Sequence, residues 1–146
     1  MKSKLLHEDG TRTFAVIFDK GDDPYEGLTA FAAENGLDAA RITAIGAFRS
    51  ATLGYFDPEA KEYERFEVDE QVEVLSFIGD IARSEGDPAV HVHVVLGKRG
   101  GATVGGHLFA GQVWPTLEVL VTESPDHLAK TEDPETGLAL IDIDAS

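Results

Sequence analysis

The stretch from Ala89 to Gly111, AVHVHVVLGKRGGATVGGHLFAG, contains three of the five histidines and constrains the fold more than any other segment. Valines alternate with His91 and His93 in its first part. Side chains two residues apart on a strand point to the same face of the sheet. The alternation therefore predicts a strand that carries two imidazoles on one face and core-filling valines on the other.

The third histidine follows a glycine-rich turn. The segment 97–101, GKRGG, predicts the turn, and the pair Gly105-Gly106 permits a bulge or a close backbone approach just before His107. We therefore expect His107 to bend toward the first two histidines. Three neutral imidazoles with one open position form the ligand set of an open zinc site, although nickel, copper and iron also favour imidazole. The alternative is a hairpin whose histidines face water and hold no metal.

The charge balance limits the partners of the chain. Twelve Lys and Arg against 27 Asp and Glu give a net charge of −15, and Lys98-Arg99 is the only basic pair near the histidines. Nucleic-acid binding relies on Lys and Arg that neutralise phosphates, so we expect neither direct nucleic-acid binding nor attachment to an anionic membrane. The absence of cysteine and of an apolar leader favours a cytoplasmic protein without disulfides.

Apolar periodicity predicts one principal helix, 24–34. Asp23 suits the N-cap and Pro24 the first helical position, and Asn35-Gly36 forms a C-cap pair. Between these caps, apolar residues recur at helical spacing.

The rest of the chain predicts mainly strands, which together with the helix make one α+β domain with a largely antiparallel sheet over residues 1–146. We expect residues 1–10 to fray and Tyr55 to pair with Tyr63 across a hairpin. The segment 40–56 predicts either one long strand bent at Gly46 or two shorter strands. Further strands are predicted at 13–19, 61–68, from 70 onward and at 115–123. After the core, 13–123, come a loop with one candidate helical turn (126–130) and a terminal strand or intersubunit arm (138–143).

Several motifs resemble the plant and prokaryote conserved domain. They are GGHL (105–108), the Gly-x-Val step at 111–113, the Pro-Thr-x-Glu-Val run at 115–119, the His-x-His pair at 91–93 and the segment 45–56. The resemblance covers about residues 13–123. It implies an α+β fold, a homotrimer and a likeness to acetolactate decarboxylase, a zinc enzyme with three histidine ligands. The matching ligand positions here are His91, His93 and His107. In plants the domain follows AT-hook DNA-binding motifs, which this chain lacks. Prokaryotic members are often labelled as DNA-binding.

Two more residues are candidates for chemistry at such a site. Glu118 could be a fourth ligand, a partner that orients an imidazole or a general base, and its alternative is an ordinary exposed carboxylate. Arg49 could clamp the anionic group of a small ligand, and its alternative is a structural ion pair. The sequence thus favours a zinc protein, or one with another divalent transition metal, that takes a small anionic ligand as a lyase, hydrolase or sensor. The competing hypothesis is a trimeric interaction module without chemistry.

Overall fold

One sheet with a single helix makes up the chain. A computed structural model describes all residues, 1–146. Eight of the nine strand pairs are antiparallel, and the short contact between the fifth and eighth strands is parallel. The expected α+β fold with a largely antiparallel sheet is therefore confirmed. The elements in order are β1 (Lys2–Glu8), β2 (Arg12–Phe18), α1 (Pro24–Asn35), β3 (Ala39–Asp57), β4 (Glu62–Val68), β5 (Val72–Ser84), β6 (Asp87–Gly97), β7 (Thr103–Glu123), β8 (Ala129–Glu132) and β9 (Ala139–Asp142).

Two long strands, β3 and β7, organise the sheet. They pair with each other from Ala40 opposite Glu123 to Gly54 opposite His107. In addition β3 pairs with β5, β5 with β6, and β6 with the first residues of β7. Strands β3, β5, β6 and β7 thus form a closed circuit of backbone hydrogen bonds.

Gly46 lies where the pairing of β3 with β5 shifts its register. The structure has one 19-residue strand here, the first of the two arrangements that the sequence left open. Gly46 has a φ of +155°, and a Cβ at this position would lie 2.3 Å from the carbonyl oxygen of Thr116. No side chain fits in that space, so glycine is required where β3 crosses β7 closely.

The core lies between the inner face of the sheet and α1. Alternate residues of β6 and β7 are buried there, including the predicted valines of β6, and α1 adds Leu28 and Phe31. Asp23 caps the helix, since its Oδ1 accepts from the backbone N–H of Tyr25 and Glu26, and its Oδ2 accepts from Gly111 of β7 at 2.8 Å. The helix extends one residue beyond the predicted end and stops at Gly36 in the left-handed conformation. No helix of the chain is long and apolar enough to cross a membrane.

Three sequence-based expectations were wrong. The first ten residues contain a strand, β1, which pairs with β2 although all its residues are exposed, so no apolar pattern marks it. In the β3–β4 hairpin, Tyr63 lies opposite Phe56 instead of Tyr55, because the connecting turn shifts the register by one residue. The segment 126–130 forms no helical turn. It leads into β8, which pairs with β9 of the same chain, so the terminal segment forms a hairpin.

An ion pair joins the start of β2 to the end of β7 and generates a stability prediction. Arg12 donates to Glu123 from its backbone N–H (2.9 Å), its Nε (2.8 Å) and its Nη2, and the two side chains are only 26% and 18% exposed. These hydrogen bonds lower the pKa of Glu123 below its ordinary 4.5. We expect Glu123→Gln to lower the free energy of unfolding by about 1 to 2 kcal/mol at pH 7 in urea titrations.

The pH dependence of that loss follows from the lowered pKa. A carboxylate with a depressed folded-state pKa contributes stability above its unfolded pKa, and this stability disappears as pH falls through the folded value. The difference between wild type and Glu123→Gln should therefore shrink as the titrations are repeated in acid. Glu118→Gln, on the same strand but exposed, is the matched control. A loss that stays constant at every pH would contradict the assignment.

Candidate metal centre

The sheet brings the three histidines of the 89–111 stretch together. His91 and His93 lie on β6, and His93 is paired directly with His107 of β7. Directly opposed residues share a face, as do residues two apart on a strand. The candidate ligand nitrogens of all three lie within 4.8 Å of one another, and the Nε2 atoms of His91 and His93 are 3.2 Å apart. The expected convergence of the imidazoles is thus observed.

Two glycines make this approach possible. A Cβ at Gly105 would lie 2.7 Å from the carbonyl oxygen of Val94, and one at Gly106 would lie 2.6 Å from that of Gly54. Both distances are far below contact distance, so β7 can lie against β6 and β3 at once only because these positions lack side chains. The close approach predicted from the glycine pair is confirmed.

A carboxylate and an ammonium lie behind the imidazoles. Asp80 of β5 is paired directly with His91, and its Oδ2 is 3.5 Å from Nδ1 of that ring. Its Oδ1 is 2.7 Å from Nζ of Lys130, whose side chain is only 5% exposed. Burial acts to raise the pKa of Asp80, but the contacts with His91 and Lys130 lower it overall. A carboxylate at Nδ1 orients an imidazole so that its Nε2 faces the ligand site.

Sequence reasoning missed Asp80 and Lys130. Asp80 could have been found from the β5–β6 hairpin register, which places it opposite His91. Lys130 lies in a segment without an apolar pattern, and its place depends on the parallel contact of β8 with β5. No local sequence signal marks that contact.

Burial favours the neutral form of His93 and His107. His107 packs against Tyr63 and Phe109, with ring centroids 4.8 Å from each. Burial lowers the pKa of His107 to about 4, and the nearby cations Arg65 and Lys130 act in the same direction. Burial also lowers the pKa of His93. Neutral imidazole is the form that binds metal, so these two rings need not lose a proton at pH 7.

The donor set fits a divalent transition metal. Tetrahedral zinc with nitrogens at about 2.0 to 2.1 Å places two ligand nitrogens about 3.3 Å apart. The 3.2 Å between the Nε2 atoms of His91 and His93 matches that spacing. In addition, the buried Nδ1 of His107 has no hydrogen-bond partner, whereas buried polar atoms normally have one. Three imidazoles leave one position open for water or a small ligand.

The structure does not bring Glu118 or Arg49 to these histidines. Glu118 is exposed on β7, eleven residues beyond His107, and is paired with Ile17 and Ile45. Arg49 is exposed on β3 in a polar cleft that Gln71 also lines. Strand β7 has 21 residues, so sharing a strand with His107 does not imply sharing its site.

Residues 6–125 match the sequence profile described as the Plants and Prokaryotes Conserved (PCC) domain. The chain belongs to this family. A bifunctional protein GlmU from Synechococcus sp. (strain JA-3-3Ab) is 28% identical over 136 residues, which cover 91% of this PCC chain and 21% of that protein. The PCC chain thus spans about a fifth of the length of the curated relatives it matches.

Several solved structures share the PCC fold, and their proteins carry different functional descriptions. A protein from Archaeoglobus fulgidus described as metal-containing is 38% identical, with a TM-score of 0.82 and coverage of 97% of this chain and 99% of that one. A plant- and prokaryote-conserved protein from Pyrococcus horikoshii is 31% identical, with a TM-score of 0.84 and coverage of 90% and 91%. The α-acetolactate decarboxylase from Bacillus subtilis strain 168 shares the fold alone, at 16% identity, a TM-score of 0.54 and coverage of 75% and 51%.

The glycine pair generates a prediction for the PCC chain. In Gly106→Ala, the added methyl group would push β7 away from the carbonyl of Gly54 and displace His107. We expect a loss of about 1 to 3 kcal/mol in the free energy of unfolding, typical of overpacking, with shifted imidazole resonances of all three site histidines in NMR spectra.

The control variant is Gly101→Ala in the preceding turn. Gly101 has a positive φ of 90°, unlike Gly106, and a Cβ there would meet nothing within 4 Å. This variant should therefore show only a backbone cost and leave the imidazole resonances in place. Unmoved resonances in Gly106→Ala would show that the glycine does not position His107.

Proposed function

We propose that this PCC protein binds one divalent transition-metal ion per chain, zinc in the first instance, through His91, His93 and His107. The observation that carries the proposal is the convergence of three imidazoles, two of them at the nitrogen spacing of a tetrahedral site. The description of the A. fulgidus relative as metal-containing supports it.

The surrounding residues have separate tasks in this proposal. Asp80 holds His91 in the orientation that leaves its Nε2 for the ion, while Tyr63 and Phe109 fix the plane of His107. The open position takes a small anionic ligand, as the substrate of a lyase or hydrolase or as the signal of a sensor. A bound metal would supply a Lewis acid that polarises an oxygen atom of such a ligand. Glu118 and Arg49 lie away from this centre and have no contact role in it.

Metal analysis tests the proposal directly. Untagged protein purified without chelator should contain about one equivalent of metal per chain, and added Zn²⁺ should raise the melting temperature of metal-depleted protein because it binds only the folded state. His107→Ala should hold less than about a tenth of an equivalent, since two imidazoles make a poor site.

His127→Ala is the matched control, because His127 lies in the exposed segment before β8. It should retain the wild-type metal content and thermal shift. Wild-type protein with no metal and no thermal response to Zn²⁺ would refute metal binding. Equal metal content in the two variants would place the metal elsewhere.

We infer as a second candidate that the chain works as a self-associating module, a homotrimer as its resemblance to the family implied. An apolar surface on the outer face of the sheet supports this: Ile45 is 64% exposed, Ile78 57% and Leu120 49%. Thr43 is paired with both Ile78 and Leu120, so these side chains lie on one face, and Ile78 is in turn paired with His93. Contiguous exposed apolar surface is typical of interaction sites. The charge of −15 argues against direct DNA contact in either candidate.

Light scattering coupled to size-exclusion chromatography tests the self-association. Wild-type protein should elute as a trimer, and Ile78→Glu should shift it to a monomer because a buried unpaired charge opposes the contact. Ile143→Glu is the control, since Ile143 is 75% exposed in the C-terminal tail. A monomeric wild-type protein, or a trimer unaffected by Ile78→Glu, would remove this surface from consideration.

A further inference from the structure

A buried lysine stands out in an otherwise exposed C-terminal hairpin. Most residues of β8 and β9 are exposed, whereas the side chain of Lys130 is 5% exposed. Long charged side chains are rarely buried unless they are paired, and burying one costs free energy. The ion pair with Asp80 explains how the ammonium is tolerated, but not why the hairpin carries it toward the histidines.

A cavity of about 190 Å³ opens where the hairpin meets the three-histidine centre. Its polar lining is His91, His107, Tyr63 and Lys130. The hairpin supplies an aliphatic wall that includes Leu138 and Leu140. One part of the cavity thus offers positive charge and metal-binding nitrogens, and another offers only hydrocarbon.

Lys130 lines this cavity, and its ammonium retains hydrogen-bonding capacity. A lysine ammonium carries three N–H donors. Its Nζ is ion-paired with Asp80 Oδ1 at 2.7 Å, yet that oxygen accepts no well-formed hydrogen bond, so the pair does not use up these donors. Asp80 directs its other oxygen to His91, so the carboxylate serves both neighbours. An anionic oxygen in the cavity would accept from Lys130 in a charge-assisted hydrogen bond.

We propose that the β8–β9 hairpin completes a ligand pocket over the three-histidine centre, in which Lys130 binds the carboxylate of a small aliphatic organic acid. The aliphatic group of the acid packs against Leu138 and Leu140. This inference rests on the proposed metal binding and extends it by naming the ligand class and the residue that recognises it. Inorganic phosphate fits less well, because it has nothing to place against the aliphatic wall.

Isothermal titration calorimetry of the zinc-loaded protein tests the pocket. It uses two small molecules that have the same shape but differ in charge. Isobutyrate carries the carboxylate, and isobutyramide is its neutral counterpart. Wild-type protein should bind isobutyrate more tightly than isobutyramide. Leu140→Asp, at a position already 44% exposed, should weaken isobutyrate binding and keep the zinc content.

The decisive comparison is between Asp80→Asn and the double variant Asp80→Asn/Lys130→Met. Removing Lys130 alone would leave Asp80 as an unpaired, partly buried charge and endanger folding, whereas the double variant avoids this. The double variant should bind isobutyrate at least about tenfold more weakly than Asp80→Asn, with isobutyramide affinity unchanged. Lys4→Met removes the same charge from the exposed strand β1 and should behave as wild type.

The outcomes separate the two proposals. If Asp80→Asn and the double variant both hold full zinc and bind isobutyrate with equal affinity, the role of Lys130 is overturned. Metal binding would remain supported. Zinc-loaded wild type that prefers isobutyramide or phosphate, or that does not bind isobutyrate below about 10 mM, would overturn the ligand class. Wild-type protein without zinc would overturn both.

Discussion

The contact between β6 and β7 at His93 and His107 is the constraint on which the candidate centre depends. Backbone hydrogen bonds hold the two strands together, and the absence of side chains at Gly105 and Gly106 lets β7 approach both β6 and β3. The imidazoles meet because of this main-chain arrangement. Aromatic packing against His107 and the carboxylate of Asp80 then set the ring orientations.

The electrostatics of the centre oppose those of the whole chain. The molecule carries a net charge of −15, yet the histidine site lies beside a buried ammonium, and burial lowers the pKa of His107 to about 4. Neutral imidazoles accept a cation without first releasing protons. In the proposed pocket, the ammonium of Lys130, although paired with Asp80, would attract an anionic ligand that the overall charge would repel.

Much of the fold and the three histidines could be predicted from the sequence, because both rest on short-range periodicity. The alternation in β6, the caps of α1 and the glycine pair each act within a few residues. Asp80 needed one further step, the register of the β5–β6 hairpin, which places it opposite His91. Lys130 could not be predicted, because it depends on a contact of β8 with β5 that involves only two residue pairs. Glu118 shows the opposite error. It is a suitable residue type and shares β7 with His107, yet it lies eleven residues further along the strand and away from the site.

The closed circuit of β3, β5, β6 and β7 has a consequence for how the centre would respond to chelators. Each of the strands that carry the histidines is hydrogen-bonded on two sides, so the histidines are not on a free edge that could peel away. In small zinc-finger domains the ion itself drives folding. Here backbone hydrogen bonds and the apolar core hold the fold together. Removing a bound ion would therefore leave the three histidines preorganised and the fold intact.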